Sequence, residues 1–193
     1  TQRITDPEVR KALSQAVNVP ELVASLYRGY ASEATSILPT FMPGYSADVK
    51  QVSYDPEAAA QTLADKGVTE LHMLAYTNPR PYNTATGQTL AEALQGYYEK
   101  VGVTCSIDSY DWTTYKEKVG TGDYDVCLYG WIGDNGDPDN FMNLLASEDI
   151  EINVAQYSDE EFNTMLAEAA STPNGEERNA IYAQMEQKIA DEC

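Results

Sequence analysis

The chain has 193 residues, 42% of them hydrophobic, enough to bury a core in one large domain or two small ones and too many for global disorder. Its 12 basic and 31 acidic residues give a formal charge of -19, which argues against nucleic acid and anionic membranes as partners, because both demand a basic patch. No run of about 18 apolar residues exists, so no segment reads as a membrane-spanning helix.

In chain order, Asp6-Pro7-Glu8 is a strong helix start: an Asp that can cap free amides, a Pro suited to the first turn, a Glu favoured by the helix dipole. Val9, Leu13 and Ala16 fall on one face of that helix, and a second short helix is predicted over 21–27 with Leu22, Val23, Leu26 and Tyr27 inward. Residues 28–53 carry Pro39, Pro43 and glycines in an irregular pattern, long for a loop, which predicts either a surface excursion or a contact region. Tyr54-Asp55-Pro56-Glu57 repeats the cap-and-proline start, and Gly67 stops the helix.

Residues 70–76 read as a strand buried on one or both faces, and 78–83, with Pro79 and Pro81, as a break. A long amphipathic helix is predicted over 86–101 with Leu90, Ala93, Leu94, Tyr97 and Tyr98 inward, then a second strand over 103–107. A short helix over 111–119 and a third strand over 124–131 complete a strand–helix–strand–helix–strand order, the α/β signature, whose crossovers imply parallel neighbours. Ser158 with Glu161 three residues on predicts a capping-box helix, and a last helix carries Ile181, Met185 and Ile189 on one face. The chain starts just before a cap and stops inside this helix, so it reads as a fragment truncated at both ends, and the lack of a visible signal peptide says little about compartment.

Cys105, Cys127 and Cys193 show no CxxC or Cys/His spacing; the first two fall in predicted strands as buried thiols, and a zinc site has no support. His72 is the only histidine and lies mid-strand, with no G-x-S-x-G elbow to serve as nucleophile, and no phosphate-binding glycine motif is present. Fourteen tyrosines suit half-wet clefts, although tyrosine is also a common strand residue, and composition alone leaves both readings open.

The stretch from Gly130 to Phe141 stands out: a strand-like run ends, glycines let the backbone turn, and Asp134, Asp137 and Asp139 cluster within six residues. An EF-hand calcium register fails from either starting aspartate, and Asp137-Pro138-Asp139 matches the helix caps at Asp6 and Asp55. Open α/β sheets take ligands beyond the carboxyl ends of their strands. Arg80 follows the first strand as Asp134 follows the third, so parallel strands would bring one cation and one anion to the same edge. Such a pair suits a zwitterion, with Arg holding a carboxylate through its planar fork; an ordinary surface Arg and a capping Asp remain the other reading.

Asp6-Pro7-Glu8-Val9-Arg10-Lys11-Ala12-Leu13, Tyr54-Asp55-Pro56-Glu57-Ala58-Ala59, Arg80-Pro81-Tyr82-Asn83, Val101-Gly102-Val103 and, most specifically, Gly130-Trp131-Ile132-Gly133-Asp134-Asn135-Gly136-Asp137-Pro138-Asp139-Asn140-Phe141 resemble the solute-binding proteins of bacterial ABC importers. These form the family that takes up dipeptides and oligopeptides, and also nickel and haem. The resemblance covers nearly the whole chain. It implies a type II periplasmic-binding-protein fold in which residues 1–193 form most of the second, C-terminal lobe, an α/β lobe with a small, mostly parallel sheet flanked by helices.

The first lobe would precede Thr1, and a returning segment would follow Cys193. By the same resemblance, Asp134 holds a ligand's ammonium, Arg80 holds its carboxylate, and Tyr82, Trp131 and Gly133 line the pocket. It further implies a non-enzymatic, cofactor-free, metal-free role in peptide transport. The protein would work outside the cytoplasm, in the periplasm or as a surface lipoprotein, and present its peptide to a membrane permease. From other classes, an acid-pair hydrolase and a calcium-binding module remain alternatives, and within the family nickel or haem.

Overall fold

A computed structural model describes all residues 1–193. The chain divides into two compact units, residues 1–33 with 52–130, and residues 34–51 with 131–193.

The first unit contains, in chain order, α1 (Pro7–Gln15), α2 (Val19–Tyr27), α3 (Pro56–Asp65), β1 (Glu70–Tyr76), β2 (Pro79–Arg80), β3 (Asn83–Thr86), α4 (Gly87–Lys100), β4 (Thr104–Tyr110), α5 (Trp112–Gly120) and β5 (Val126–Cys127). Asp6 and Asp55 cap α1 and α3 as the sequence predicts, accepting from the Glu8 amide at 2.9 Å and the Ala58 amide at 3.0 Å; Asp111 caps α5 in the same way, accepting from Thr113 at 3.0 Å, whereas Asn18 and Thr86 cap α2 and α4. The three-stranded sheet is parallel, in the order β4-β1-β5. The middle strand, β1, buries Leu71, Met73, Leu74, Ala75 and Tyr76, the near-continuous apolar run expected where helices cover both faces.

Three expectations change in this unit. The predicted third strand shrinks to the two residues of β5, although the backbone still bonds β1 on either side, Asp125 N to the His72 carbonyl at 2.9 Å and Leu128 N to the Leu74 carbonyl at 3.3 Å. Asp125 Oδ2 accepts from the His72 amide at 2.7 Å, and the Leu128 carbonyl accepts from the Tyr115 hydroxyl at 2.5 Å. The proline-rich break at 78–83 is a small antiparallel hairpin, β2 against β3, turning at Pro81-Tyr82. In α4 the fully buried residues are Ala91, Tyr97 and Tyr98, whereas Leu90, Ala93 and Leu94 are only half-buried.

The second unit holds α6 (Asp139–Ala146), α7 (Glu160–Ser171) and α8 (Glu176–Glu192). Its core joins Met142, Phe162, Tyr182 and Met185 to Leu38 and Met42 from the irregular segment. That segment is therefore a contact region. It is also pinned by polar bonds to α8: the buried Glu186 accepts from the Ser36 hydroxyl and, at 2.9 Å, from the Ser46 amide, and Gln187 accepts from the Lys50 amide at 3.1 Å. The α7 cap is Asp159, which accepts from Phe162 at 2.7 Å, and not the predicted Ser158; a carboxylate there also pairs with Lys188 Nζ at 3.4 Å.

Candidate functional site

The carboxyl end of the first unit's sheet is where its unusual side chains gather. Because β1 and β5 are parallel, the segments leaving them, 77–86 and 128–130, emerge at the same edge. The hairpin there is held by Asn83, only 4% exposed, whose side chain accepts from the Tyr27 hydroxyl at 2.7 Å and donates to the Tyr76 hydroxyl at 2.9 Å. A buried amide bonded on both sides fixes the turn, since either bond left unmade carries a desolvation cost.

Arg80 lies on the short strand β2, with its guanidinium carbon 3.9 Å from the centroid of the Trp112 ring. Its Nε is buried without a hydrogen-bond partner, and its guanidinium forms no ion pair. Nothing on the protein neutralises this cation, although the chain carries 31 acidic residues. The buried Arg178 and half-buried Lys188, by contrast, each meet carboxylates at 2.8 Å.

Tyr82 packs edge-on to Tyr76, with ring centroids 6.4 Å apart. Its hydroxyl is buried and unbonded; burial raises its pKa, and the nearby Arg80 guanidinium opposes the rise. Its ring also lies on Gly130, where a Cβ would come within 2.3 Å of Tyr82 Cδ2. Gly130→Ala is expected to destabilise the first unit by about 1–3 kcal/mol through this clash. In a Tyr82→Ala background the same substitution should cost little in urea unfolding; an equal cost in both backgrounds would locate the strain elsewhere.

In the second unit, residues 131–140 form a loop closed by Asn140. Asn140 Oδ1 accepts from Trp131 Nε1 at 2.8 Å and from the Asp134 amide at 3.0 Å, and Nδ2 donates to Asp134 Oδ2 at 3.3 Å. Gly133 lies against the Phe141 ring, 2.9 Å from where a Cβ would stand. The three aspartates of the loop differ in what holds them. Asp137 caps the turn by accepting from the Asp139 amide at 3.0 Å, as predicted, and also takes both prongs of Arg178, at 2.8 and 3.0 Å. Arg178 holds the Asp137 carboxyl below the usual range. Asp139 accepts from the Tyr182 hydroxyl and lies 3.5 Å from Arg178 Nη2. Asp134 is exposed, and Asn140 is its only side-chain partner.

Of the five residues singled out by sequence, Arg80 and Tyr82 lie in the first unit and Trp131, Gly133 and Asp134 in the second. Arg80 and Asp134 each present a charge with no opposite charge on the protein to meet it. Four supporting residues escaped the sequence reading: Trp112, Asn83, Asn140 and Arg178. Of these, Arg178 had left a signal, since helical period places it with Ile181, Tyr182 and Met185 on the buried face of α8, where a lone Arg needs an anion.

Residues 2–152 match the family model described as bacterial extracellular solute-binding proteins, family 5, middle. The chain is 32% identical over 196 residues to the dipeptide-binding protein of Escherichia coli K12, covering 98% of this chain and 36% of that protein. It is 33% identical over 187 residues to haem-binding protein A of Haemophilus influenzae, covering 92% of this chain and 33% of the relative. Among solved structures, a dipeptide-binding protein of Pseudoalteromonas sp. SM9913 in complex with Met-Leu superposes with a TM-score of 0.90 at 27% identity, covering 97% of this chain and 38% of that one. The chain thus spans about a third of the length of these relatives.

Proposed function

Because the chain belongs to the bacterial extracellular solute-binding proteins of family 5, we propose that it is the part of such a protein that grips both ends of a short peptide, Arg80 taking the carboxylate and Asp134 the ammonium. The observation that carries this reading is Arg80: a half-buried cation with no carboxylate partner in a strongly acidic chain. Its Nε is buried without a hydrogen-bond partner and no carboxylate pairs with it, which leaves a planar guanidinium fork of the kind that matches a carboxylate. Asp134, exposed and lightly held, is the corresponding anion. The resemblance to this family assigns Tyr82, Trp131 and Gly133 to the lining.

In this reading residues 1–193 are most of the second lobe of a two-lobe protein. The lobes hinge shut on the peptide outside the cytoplasm and present it to a membrane permease. Recognition of the two ends leaves the side chains between them free to vary. The chain supplies binding groups, and no catalytic step is assigned to it.

The test is calorimetric titration of the complete protein that contains this chain with Met-Leu, tetra-alanine, and their C-terminally amidated and N-acetylated forms. Blocking either end should weaken binding at least about a hundredfold, since each block leaves one charge unpaired. Equal affinity for free and blocked peptides, or no binding of either free peptide, sinks the reading. Haem is the second reading, favoured by the similarity to haem-binding protein A; its propionates would suit the same Arg80 edge. A Soret-band titration with hemin distinguishes it. His72, the single histidine, is bonded to Asp108 at 3.0 Å and offers such a ligand little.

A further inference from the structure

Arginine is a flexible side chain, and holding it in one place costs rotamer entropy. A binding arginine is commonly steadied by a protein carboxylate, but such a partner competes with the ligand for the same donors. Arg80 has none, and it stands on a strand of two residues. What it has is the face of Trp112, 3.9 Å away. A ring face attracts the cation through its quadrupole and leaves the in-plane N–H groups free.

The ring itself is fixed. Trp112 opens α5 directly after the cap Asp111, which accepts from the Thr113 and Thr114 amides at 3.0 and 3.3 Å. It stacks on Tyr115 with centroids 5.7 Å apart and an interplanar angle of 25°, and meets Tyr76 nearly at right angles at 5.7 Å. Tyr115 is wholly buried, and its hydroxyl is tied to the Leu128 carbonyl at 2.5 Å.

Resting on the assignment of Arg80 to the peptide carboxylate, we propose that Trp112 is the positioning residue for that arginine. It is an aromatic platform that aims the guanidinium edge at the ligand and covers Nε, without neutralising the charge or consuming a terminal donor. The platform explains how a cation can stay unpaired in this chain and still be ordered. It also gives Trp112 a contribution that depends on the ligand's negative end alone.

The experiment is titration of the complete protein with Met-Leu and with Met-Leu amide, in Trp112→Tyr, Trp112→Phe and Trp112→Leu, each alone and combined with Arg80→Ala. Affinity for Met-Leu should fall in the order Trp, then Tyr and Phe, then Leu, reaching about a tenfold loss for Leu. Affinity for the amide should stay level, and in the Arg80→Ala background the Trp112 substitutions should have no further effect. Equal losses for the acid and the amide, or losses that persist without Arg80, would overturn the proposal in favour of direct contact or plain packing. Should Trp112→Leu fail to fold, the Trp-to-Phe step read the same way decides. Failure of the parent reading looks different: Arg80→Ala alone would then leave the preference for the free acid intact, and the platform role would fall with it.

Discussion

Replacing Arg80 by alanine should lower the affinity of the complete protein for Met-Leu by about two to three orders of magnitude, a loss of about 3–4 kcal/mol. The size follows from what remains: a peptide carboxylate brought out of water with no counter-charge. Tyr82, the hydroxyl beside Arg80, would supply at most one neutral donor in its place. Arg80→Lys should recover only part of the loss, since an ammonium has no planar fork to match a carboxylate and gains less from the Trp112 face. Asp134→Asn tests the other end in the same titration, and its effect should vanish with an N-acetylated peptide. An Arg80→Ala protein that binds Met-Leu as well as its parent would remove the basis of the site.

The largest stability effect is expected at Arg178. Its side chain is 9% exposed, and its donors go to Asp137, the Ala169 carbonyl and Asn174 at 2.7–3.0 Å. Arg178→Met keeps the apolar stem and removes every one of those bonds. Asp137 is 38% exposed, so water recovers part of its lost partner, and the expected cost is about 2–3 kcal/mol rather than the larger figure for a fully buried pair. Urea unfolding measures it. Hydrogen exchange at the amides of Asp134 and Asp137 should quicken well before global unfolding, because Arg178 ties Asp137 to α8, while the Tyr182 hydroxyl still holds Asp139.

The same pair sets a pH signature. Asp137 has a folded pKa held below its unfolded value by Arg178, so its contribution is present above the ordinary carboxylate range, about pH 4, and is lost as pH falls through the depressed value. Arg178→Met should therefore flatten the acid edge of the stability profile. An unchanged acid edge would show that the pair does not anchor the loop.

Much of the fold around the candidate site was legible because it rests on local chemistry. The Asp-Pro caps at Asp6 and Asp55 and the buried strand at 70–76 are short-range patterns, and the structure carries them, whereas Arg80 stands on the short strand β2 and α6 follows Pro138 without a side-chain cap. What was hidden depends on side chains reaching over long separations. The hairpin at Pro79–Thr86 reads as a break because two prolines mask it; it forms because Asn83 bonds Tyr27, 56 positions away. The third strand looks long by composition and is only two residues, with side-chain bonds from Asp125 and Tyr115 added to the backbone bonds that flank it. Trp112 reads as one more helix aromatic until its ring is seen beneath the guanidinium. Asp137 and Asp139 were placed as turn-shaping residues, and only the helix 41 positions on reveals why Asp134 alone stays open.

The pinning of residues 34–51 to α8 has a consequence for synthesis. Ser36 and Ser46 bond to Glu186 across separations of 150 and 140 residues. At about 5–20 residues per second, the ribosome delivers Glu186 roughly 8–30 seconds after Ser36. For that interval Leu38 and Met42 have no core to enter, and the second unit cannot close while its first unit already has all its strands. The nascent chain thus spends its early life with an apolar segment uncovered, a target for holdase chaperones.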